Sequence, residues 1–128
     1  MKKRIAAVHE FHTAFKLGIK ETPTANIGAD RNMLRFNLMK EENEEYLEAA
    51  ENNDLVEVAD ALGDMLYILC GTIIEHGMQD KIEEVFNEIQ RSNMSKLGED
   101  GKPIYREDGK VLKGPNYFKP NIKAILES

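Results

Sequence analysis

The sequence predicts an all-α protein built as an antiparallel four-helix bundle. Apolar side chains recur every three to four residues in four segments, which is the pattern of amphipathic helices. Charged residues make up 31% of the 128 residues and aromatic residues 7%, with no tryptophan, a composition that suits a helical protein. The links between the segments are short, which favours antiparallel packing of neighbouring helices.

The periodic segments give the expected bounds of the four helices, which are residues 2–16, 31–51, 55–76 and 79–95. Asp30 and Asp54 stand where the second and third helices begin, and aspartate is a favoured N-cap residue. Asn52 and Asn53 precede Asp54 and predict a tight connection between these two helices. Gly63 and Gly71 inside the third helix disfavour helix formation and therefore indicate close helix–helix approaches at both positions.

The last third of the chain has a different character. Residues 96–114 are rich in Gly, Lys and Asp, and Asp108-Gly109 separates two short β-prone runs, which is a hairpin signal. Pro120 is placed to start a short terminal helix that reaches Leu126. We therefore expect one domain over residues 1–128, with a helical core at 1–95 and a C-terminal hairpin, loop and short helix at 96–128.

Bulk properties exclude several classes of function. The net charge of −6 argues against binding to a nucleic-acid polymer, which relies on a basic surface. The longest apolar run, residues 65–74, is shorter than the roughly 20 residues that a bilayer crossing needs. The N-terminal segment lacks the apolar core of a signal peptide, and the single cysteine, Cys70, is expected to be a small buried side chain. We expect a soluble cytoplasmic protein with no membrane partner.

Two clusters of carboxylates occupy consecutive predicted helices. The first cluster contains Glu41, Glu42 and Glu45, and the second contains Glu57, Asp60 and Asp64. Spacings of three, four and seven residues place the members of each cluster on one helix face. Because the two helices are joined by a tight turn, the two acidic faces are expected to meet.

Such a meeting of like charges requires compensation, because carboxylates at one-turn spacing repel one another. Mg²⁺ prefers oxygen ligands and commonly binds carboxylates together with substrate phosphates. The sequence therefore indicates a magnesium site that handles a polyphosphate, with Mn²⁺ as the alternative ion. For the glutamates of the second helix, a solvent-exposed acidic face explains the sequence equally well.

The second cluster favours the metal interpretation more strongly. Asp64 lies in an apolar helix, with Leu62, Met65 and Leu66 as close sequence neighbours. A carboxylate in such surroundings is rarely buried without a partner. No lysine or arginine occurs between Lys40 and Lys81, so no local cation neutralises it.

The acidic segments resemble a known family signature. The run EENEE at residues 41–45 fits the EExxE half of the signature of the MazG-like all-α nucleoside triphosphate pyrophosphohydrolases, whose members include phosphoribosyl-ATP pyrophosphohydrolase and the dimeric all-α dUTPases. The second half, ExxD, is matched literally by Glu57 to Asp60. A second alignment, based on the distance to the following apolar run, makes Asp64 the aspartate of the signature and places Ala61 at its glutamate position. Both alignments stay open. Residues 91–122 are similar to the tail of a phosphoribosyl-ATP-pyrophosphohydrolase-like subgroup.

The resemblance implies hydrolysis of a nucleoside triphosphate, or a similar nucleotide, to the monophosphate and pyrophosphate. It implies Mg²⁺ ions held by Glu45, Asp64 and one or both of Glu57 and Asp60. Glu41 and Glu42 complete the metal shell, or one of them orients the attacking water as a general base, for which Glu42 is the favoured candidate. The relatives also imply a homo-oligomer, either a dimer or a tetramer.

The same resemblance supplies candidates for substrate binding. The first helix and the loop after it help to enclose the base in the family, so His12 and Phe15 are candidates for base contact. Lys96 and Lys113 lie in family-like segments and are candidates for phosphate contact, with Asn93 a candidate for base or sugar. Solvent-exposed lysines and ordinary core packing are the alternative interpretations.

Three other functions use helical bundles of this kind or acidic helix faces. A ferritin-like di-iron protein needs Glu-x-x-His pairs, and none of the three histidines follows a glutamate at that spacing. A non-catalytic nucleotide-binding regulator tolerates an incomplete carboxylate set, and Ala61 keeps this alternative open. A structural helical oligomerisation module is disfavoured by Asp60 and Asp64 inside the apolar helix.

Overall fold

The structure is a computed structural model that describes residues 1–128. Its regular secondary structure is all α-helical, apart from one isolated bridge between Tyr105 and Val111. The five helices are α1 (Lys2–Ala14), α2 (Ala29–Glu51), α3 (Leu55–Glu75), α4 (Ile82–Met94) and α5 (Ile122–Glu127). The all-α prediction is confirmed, and no helix combines the length and apolar character that crossing a bilayer requires.

The chain divides into two compact units, residues 1–80 and residues 81–128. The first unit contains α1, α2 and α3, and the second contains α4, α5 and the segment between them. The expected single domain with a helical core at residues 1–95 stays a prediction, and α4 lies in the second of these units. The arrangement of four helices as one antiparallel bundle stays a prediction.

In the first unit, α2 and α3 pack against each other in antiparallel fashion and α1 packs on α3. The N-cap at Asp54 is confirmed, since its carboxylate accepts a hydrogen bond from the Glu57 amide at 3.1 Å. Asp30 is not an N-cap. The cap of α2 is Gly28, whose φ of 104° is readily adopted only by glycine, so the helix begins earlier and Asp30 lies in its first turn.

The core of the first unit is small and consists mainly of aliphatic side chains. Its buried apolar residues are Ile5, Val8, Ala49, Ala61, Cys70, Ile73 and Ile74. Burial raises the pKa of the Cys70 thiol, as expected for a packing residue rather than a nucleophile. Large apolar side chains also remain exposed on α2 and α3, among them Phe36 and Leu69.

In the second unit, the C-terminal segment folds back on α4. The Ser92 hydroxyl donates a hydrogen bond to the Phe118 carbonyl at 2.8 Å. The predicted hairpin at Asp108-Gly109 forms a turn, in which the Arg106 amide donates to the Lys110 carbonyl at 2.8 Å. Pairing beyond the turn is limited to the isolated bridge, so the two β-prone runs do not become strands.

The two interior glycines of α3 have opposite surroundings, which leads to a paired stability prediction. A Cβ at Gly63 would meet no atom within 4 Å, whereas a Cβ at Gly71 would lie 2.7 Å from Nη2 of Arg35 and 2.8 Å from Nε2 of His12. We expect Gly63→Ala to stabilise the chain by up to about 1 kcal/mol through helix propensity. Gly71→Ala should destabilise it by about 1–3 kcal/mol, because the buried side chains would have to move.

Urea denaturation of the two variants checks this prediction, since the same substitution in the same helix cancels the propensity term. Equal effects of the two substitutions would contradict the packing assigned to Gly71.

Candidate functional site

The facing surfaces of α2 and α3 bring four of the predicted carboxylates together. Glu42 is half-buried, and the negative charges of Glu45, Asp64 and Asp60 all act on it. Glu45 and Asp60 also line one cleft between the two helices. The predicted meeting of the two acidic faces is therefore present in the structure.

Glu42 is the least solvated member of this group. Its Oε2 atom is buried and has no hydrogen-bond partner. Loss of solvation and, after it, the neighbouring carboxylates, Glu45 first, together raise its pKa from 4.5 to about 6. A carboxyl group with a pKa near 6 is suited to accept a proton at neutral pH, which is the property expected of a general base.

An open cleft of about 290 Å³ extends this acidic surface toward the α2–α3 turn. Its carboxylate lining comes from Glu45, Glu48, Asp54, Glu57 and Asp60. Glu48 was not a candidate from the sequence, although its position three residues after Glu45 places it on the same face. Glu41 is exposed and is absent from both the cleft lining and the groups acting on Glu42, so its metal-binding role stays a prediction.

The carboxylates of this group are candidate ligands for a divalent cation. Carboxylate oxygens are the donors that Mg²⁺ prefers, and the unpartnered Oε2 of Glu42 offers one such donor. As the side chains stand, however, no three His, Cys, Asp or Glu residues in the chain are arranged to hold a metal ion. The residues fit a hard cation in chemistry and charge, while the ligand shell is not preformed.

The raised pKa of Glu42 leads to a prediction for the metal-free protein. The folded chain holds this proton up to a pH of about 6, whereas the ordinary glutamate value is 4.5. Folded protein therefore binds more protons than unfolded protein between these values, and the Glu42 contribution to stability falls as the pH rises from 4.5 to 6. After allowance for solvent screening, the loss should be on the order of 1 kcal/mol.

Urea denaturation in chelator at several pH values, for wild type and Glu42→Gln, measures this contribution. The variant should gain stability relative to wild type as the pH rises through this window. A difference that does not change with pH would contradict the electrostatics assigned to Glu42.

A second polar cluster is buried at the other end of the α2–α3 pair. Glu75 is 2% exposed and accepts hydrogen bonds from Arg31 Nε at 2.8 Å, Arg31 Nη2 at 2.7 Å and Arg35 Nη1 at 2.9 Å. Arg35 also donates to the Thr72 hydroxyl and the Ile68 carbonyl. Burial lowers the pKa of Arg35, and the Glu75 charge opposes that shift.

Sequence reasoning did not identify this cluster. Arg31 and Arg35 lie one helical turn apart, and Glu75 ends an apolar helix one turn after Gly71. Those two spacings are the signal that could have suggested a buried ion pair. The predicted close approach at Gly71 is confirmed, because Arg35 and His12 pack directly against it, whereas the one predicted at Gly63 is not present within the chain.

The structure gives the predicted base contacts different surroundings. His12 is 2% exposed and its Nδ1 lies 2.9 Å from the Gly18 carbonyl, so it holds the loop after α1 and its nucleotide-binding role stays a prediction. Phe15 is exposed, with its ring 4.4 Å from that of Phe11, and Phe11 meets Tyr67 edge-on at 5.6 Å between centroids. An accessible aromatic surface therefore lies on α1 and α3.

The remaining substrate candidates belong to the second unit. The Lys96 carbonyl accepts a hydrogen bond from the Gly114 amide at 2.8 Å, which joins the two segments that carry Lys96 and Lys113. The Lys113 ammonium lies 4.8 Å from the centre of the Tyr117 ring, and Asn93 is exposed on α4. The contacts of these three residues with phosphate, base or sugar stay predictions.

Comparison with known proteins gives the family of the chain. A crystal structure of a proposed NTP pyrophosphohydrolase from Exiguobacterium sp. 255-15 is similar, with 26% identity and a TM-score of 0.55 over 97% of this chain and 94% of that one. No curated protein matches the chain. The family model for phosphoribosyl-ATP pyrophosphohydrolase matches residues 8–93. The chain therefore belongs to the phosphoribosyl-ATP pyrophosphohydrolase family and is a nucleotide pyrophosphohydrolase.

Proposed function

We propose that the protein hydrolyses a nucleoside triphosphate, or a closely similar nucleotide, to the monophosphate and pyrophosphate in a Mg²⁺-dependent reaction. The observation that carries this proposal is the group of four carboxylates around the unpartnered Oε2 of Glu42. Negative charge concentrated at one place on a helix pair favours divalent cations, and bound cations in turn attract phosphate oxygens.

The residues of the site have separate tasks in this reaction. Glu45, Asp60 and Asp64 would hold Mg²⁺, which neutralises phosphate oxygens when bound. Glu57 lines the same cleft as Glu45 and Asp60 and would complete the ligand set toward the α2–α3 turn. Glu42 accepts the proton of the attacking water, a task for which its raised pKa suits it.

The aromatic surface on α1 and α3 supports a place for the base. Phe15 is exposed, and Tyr67 lies one helical turn beyond Asp64 on α3. Stacking of a nucleobase on an aromatic ring contributes about 1–3 kcal/mol in other proteins. A base near Phe15 and Tyr67 would leave the phosphates directed along α3 toward Asp64.

Hydrolysis in ¹⁸O-labelled water tests the proposed bond cleavage. Attack of water on the α-phosphorus breaks its bond to the bridging oxygen, releases pyrophosphate and places the label in the monophosphate. Mass spectrometry of the products should find the label there. Label in pyrophosphate, or formation of a diphosphate and free phosphate, would contradict the proposal.

We further propose a homo-oligomer, either a dimer or a tetramer. The supporting observation is an apolar groove of about 450 Å³ on α2 and α3, with Phe36, Met39, Met65 and Leu69 in its lining. Phe36 is 57% and Leu69 is 44% exposed. A contiguous patch of exposed apolar side chains commonly marks a protein–protein contact.

Light scattering after size-exclusion chromatography tests the oligomer. Wild type should elute as a dimer or tetramer, and Leu69→Lys should shift the protein toward monomer, because a lysine charge would be buried in the contact. Because Leu69 is exposed within one chain, the Leu69→Lys variant should keep its fold. A monomeric wild type would contradict the proposal.

A further inference from the structure

A cleft in the first unit is lined by cations and lies apart from the carboxylates of the proposed reaction. It encloses about 290 Å³, and its lining includes Lys16, Lys20 and Arg31, with Leu17 and Ile27 as apolar walls. Arg31 lies eleven residues before Glu42 on α2, which is roughly 16 Å along the helix. The cationic cleft and the acidic cleft are therefore different places on the same pair of helices.

The cationic cleft concentrates positive charge in a chain whose net charge is −6. Its one acidic lining residue is Glu75, and both oxygens of that carboxylate already accept hydrogen bonds from Arg31 and Arg35. Lys16 and Lys20 form no ion pair. Two lysines without an ion-pair partner therefore line the cleft beside an arginine pair that shares one carboxylate.

Free hydrogen-bond donors accompany this charge. Arg31 uses Nε and Nη2 on Glu75, which leaves Nη1 without a partner, and its side chain is 37% exposed. A guanidinium held in place by one carboxylate presents its remaining donors in a fixed direction. Such donors are suited to the oxygens of a phosphate group.

The loop that carries the lysines is fixed by several hydrogen bonds. The Leu17 amide donates to the His12 carbonyl at 2.8 Å, and the Lys20 amide donates to the Ile74 carbonyl at 3.2 Å. Lys16 itself has a φ of 57°, at the helix C-terminal position that glycine usually occupies. A lysine there costs free energy that glycine would avoid, so this chain places a cation at a conformationally unfavourable position.

We infer that this cleft is a metal-independent binding site for a phosphate-bearing anion, with Lys16, Lys20 and Arg31 contacting its phosphate oxygens. Leu17 and Ile27 contact the non-polar part of an organic phosphate. The phosphate belongs either to a distant part of the substrate or to a separate ligand such as a reaction product.

Titration with pyrophosphate and with adenosine monophosphate in chelator, followed by ³¹P NMR, tests this inference. Without divalent ions the acidic cleft repels phosphate, so binding reports the cationic cleft. The test variant combines Lys16→Gly, which suits the local φ, with Lys20→Gln. The controls are Lys3→Gln, which removes a lysine of α1 outside the cleft, and Asp64→Asn.

Wild type, Lys3→Gln and Asp64→Asn should bind at least one probe with the same affinity, and the double variant should bind at least about tenfold more weakly. Absence of binding in wild type, or equal binding by the double variant, would overturn the inference. Retained binding in a wild-type protein that hydrolyses no nucleoside triphosphate would remove the proposed reaction alone.

Steady-state kinetics of the double variant distinguishes the two sources of the phosphate. A raised KM with unchanged kcat would identify a distant phosphate of the substrate. Unchanged KM and kcat would identify a separate ligand.

Discussion

Asp64→Asn is expected to lower nucleotide hydrolysis by at least about 100-fold while the protein stays folded. Asp64 faces Glu42 across the α2–α3 pair and adds to the charge that raises the pKa of Glu42. The amide keeps the shape of the side chain but removes the negative charge that a bound Mg²⁺ needs. Such a cation stabilises transition-state charge by several kcal/mol, and each 1.4 kcal/mol is about tenfold in rate.

The matched control for this prediction is Glu44→Gln. Glu44 is on the same helix as Glu42, is exposed, and pairs only with Lys40 at 3.5 Å. It should keep turnover within about twofold, since exposed pairs of this kind contribute little. Thermal melting of metal-free Asp64→Asn should match or exceed that of wild type, because one repelling charge is gone. Full turnover in this folded variant would remove Asp64 from the metal site.

Glu75→Gln is expected to cause the largest loss of stability, about 3–5 kcal/mol. Glu75 is the shared partner of Arg31 and Arg35, and the Arg35 side chain is 7% exposed. The glutamine amide keeps the volume but leaves the buried Arg35 charge without compensation, which is the costly outcome for a buried pair. Domains of this size have total stabilities of about 5–15 kcal/mol, so this variant should lose a large share of its stability.

Urea denaturation at neutral pH measures this effect. Glu44→Gln again serves as the control and should change stability by less than about 1 kcal/mol. Adding Arg35→Met to Glu75→Gln should recover part of the loss, since the uncompensated charge is then removed. A loss below about 1 kcal/mol for Glu75→Gln would mean that the ion cluster does not hold α2 and α3 together.

The group of carboxylates on α2 and α3 could be predicted from the sequence because the features that determine it are local. The spacing of Glu42 and Glu45 fixes their helix face, and the tight link ending at Asp54 fixes the antiparallel return of α3. Those two facts bring Asp60 and Asp64 opposite them. Helical period and a short turn are therefore sufficient for this part of the site.

The buried ion cluster of Glu75, Arg31 and Arg35 could not be predicted in the same way. Glu75 is separated by 44 residues from Arg31 and by 40 from Arg35, and a long-range pair leaves no periodic signal. The burial of His12 also depends on a residue distant in sequence, because it requires the small size of Gly71 on another helix. The unit boundary near residue 80 likewise depends on which helices contact one another, and helix length and spacing do not determine that choice.

Pyrophosphate release from a panel of nucleoside triphosphates, measured with Mg²⁺ and with chelator, tests the central claim most directly. We predict release from one or a few of them with Mg²⁺, none in chelator, and none with Asp64→Asn. Release that persists in chelator would contradict the metal role of the carboxylates. Folded protein that releases no pyrophosphate from any member of the panel would contradict a triphosphate as the substrate.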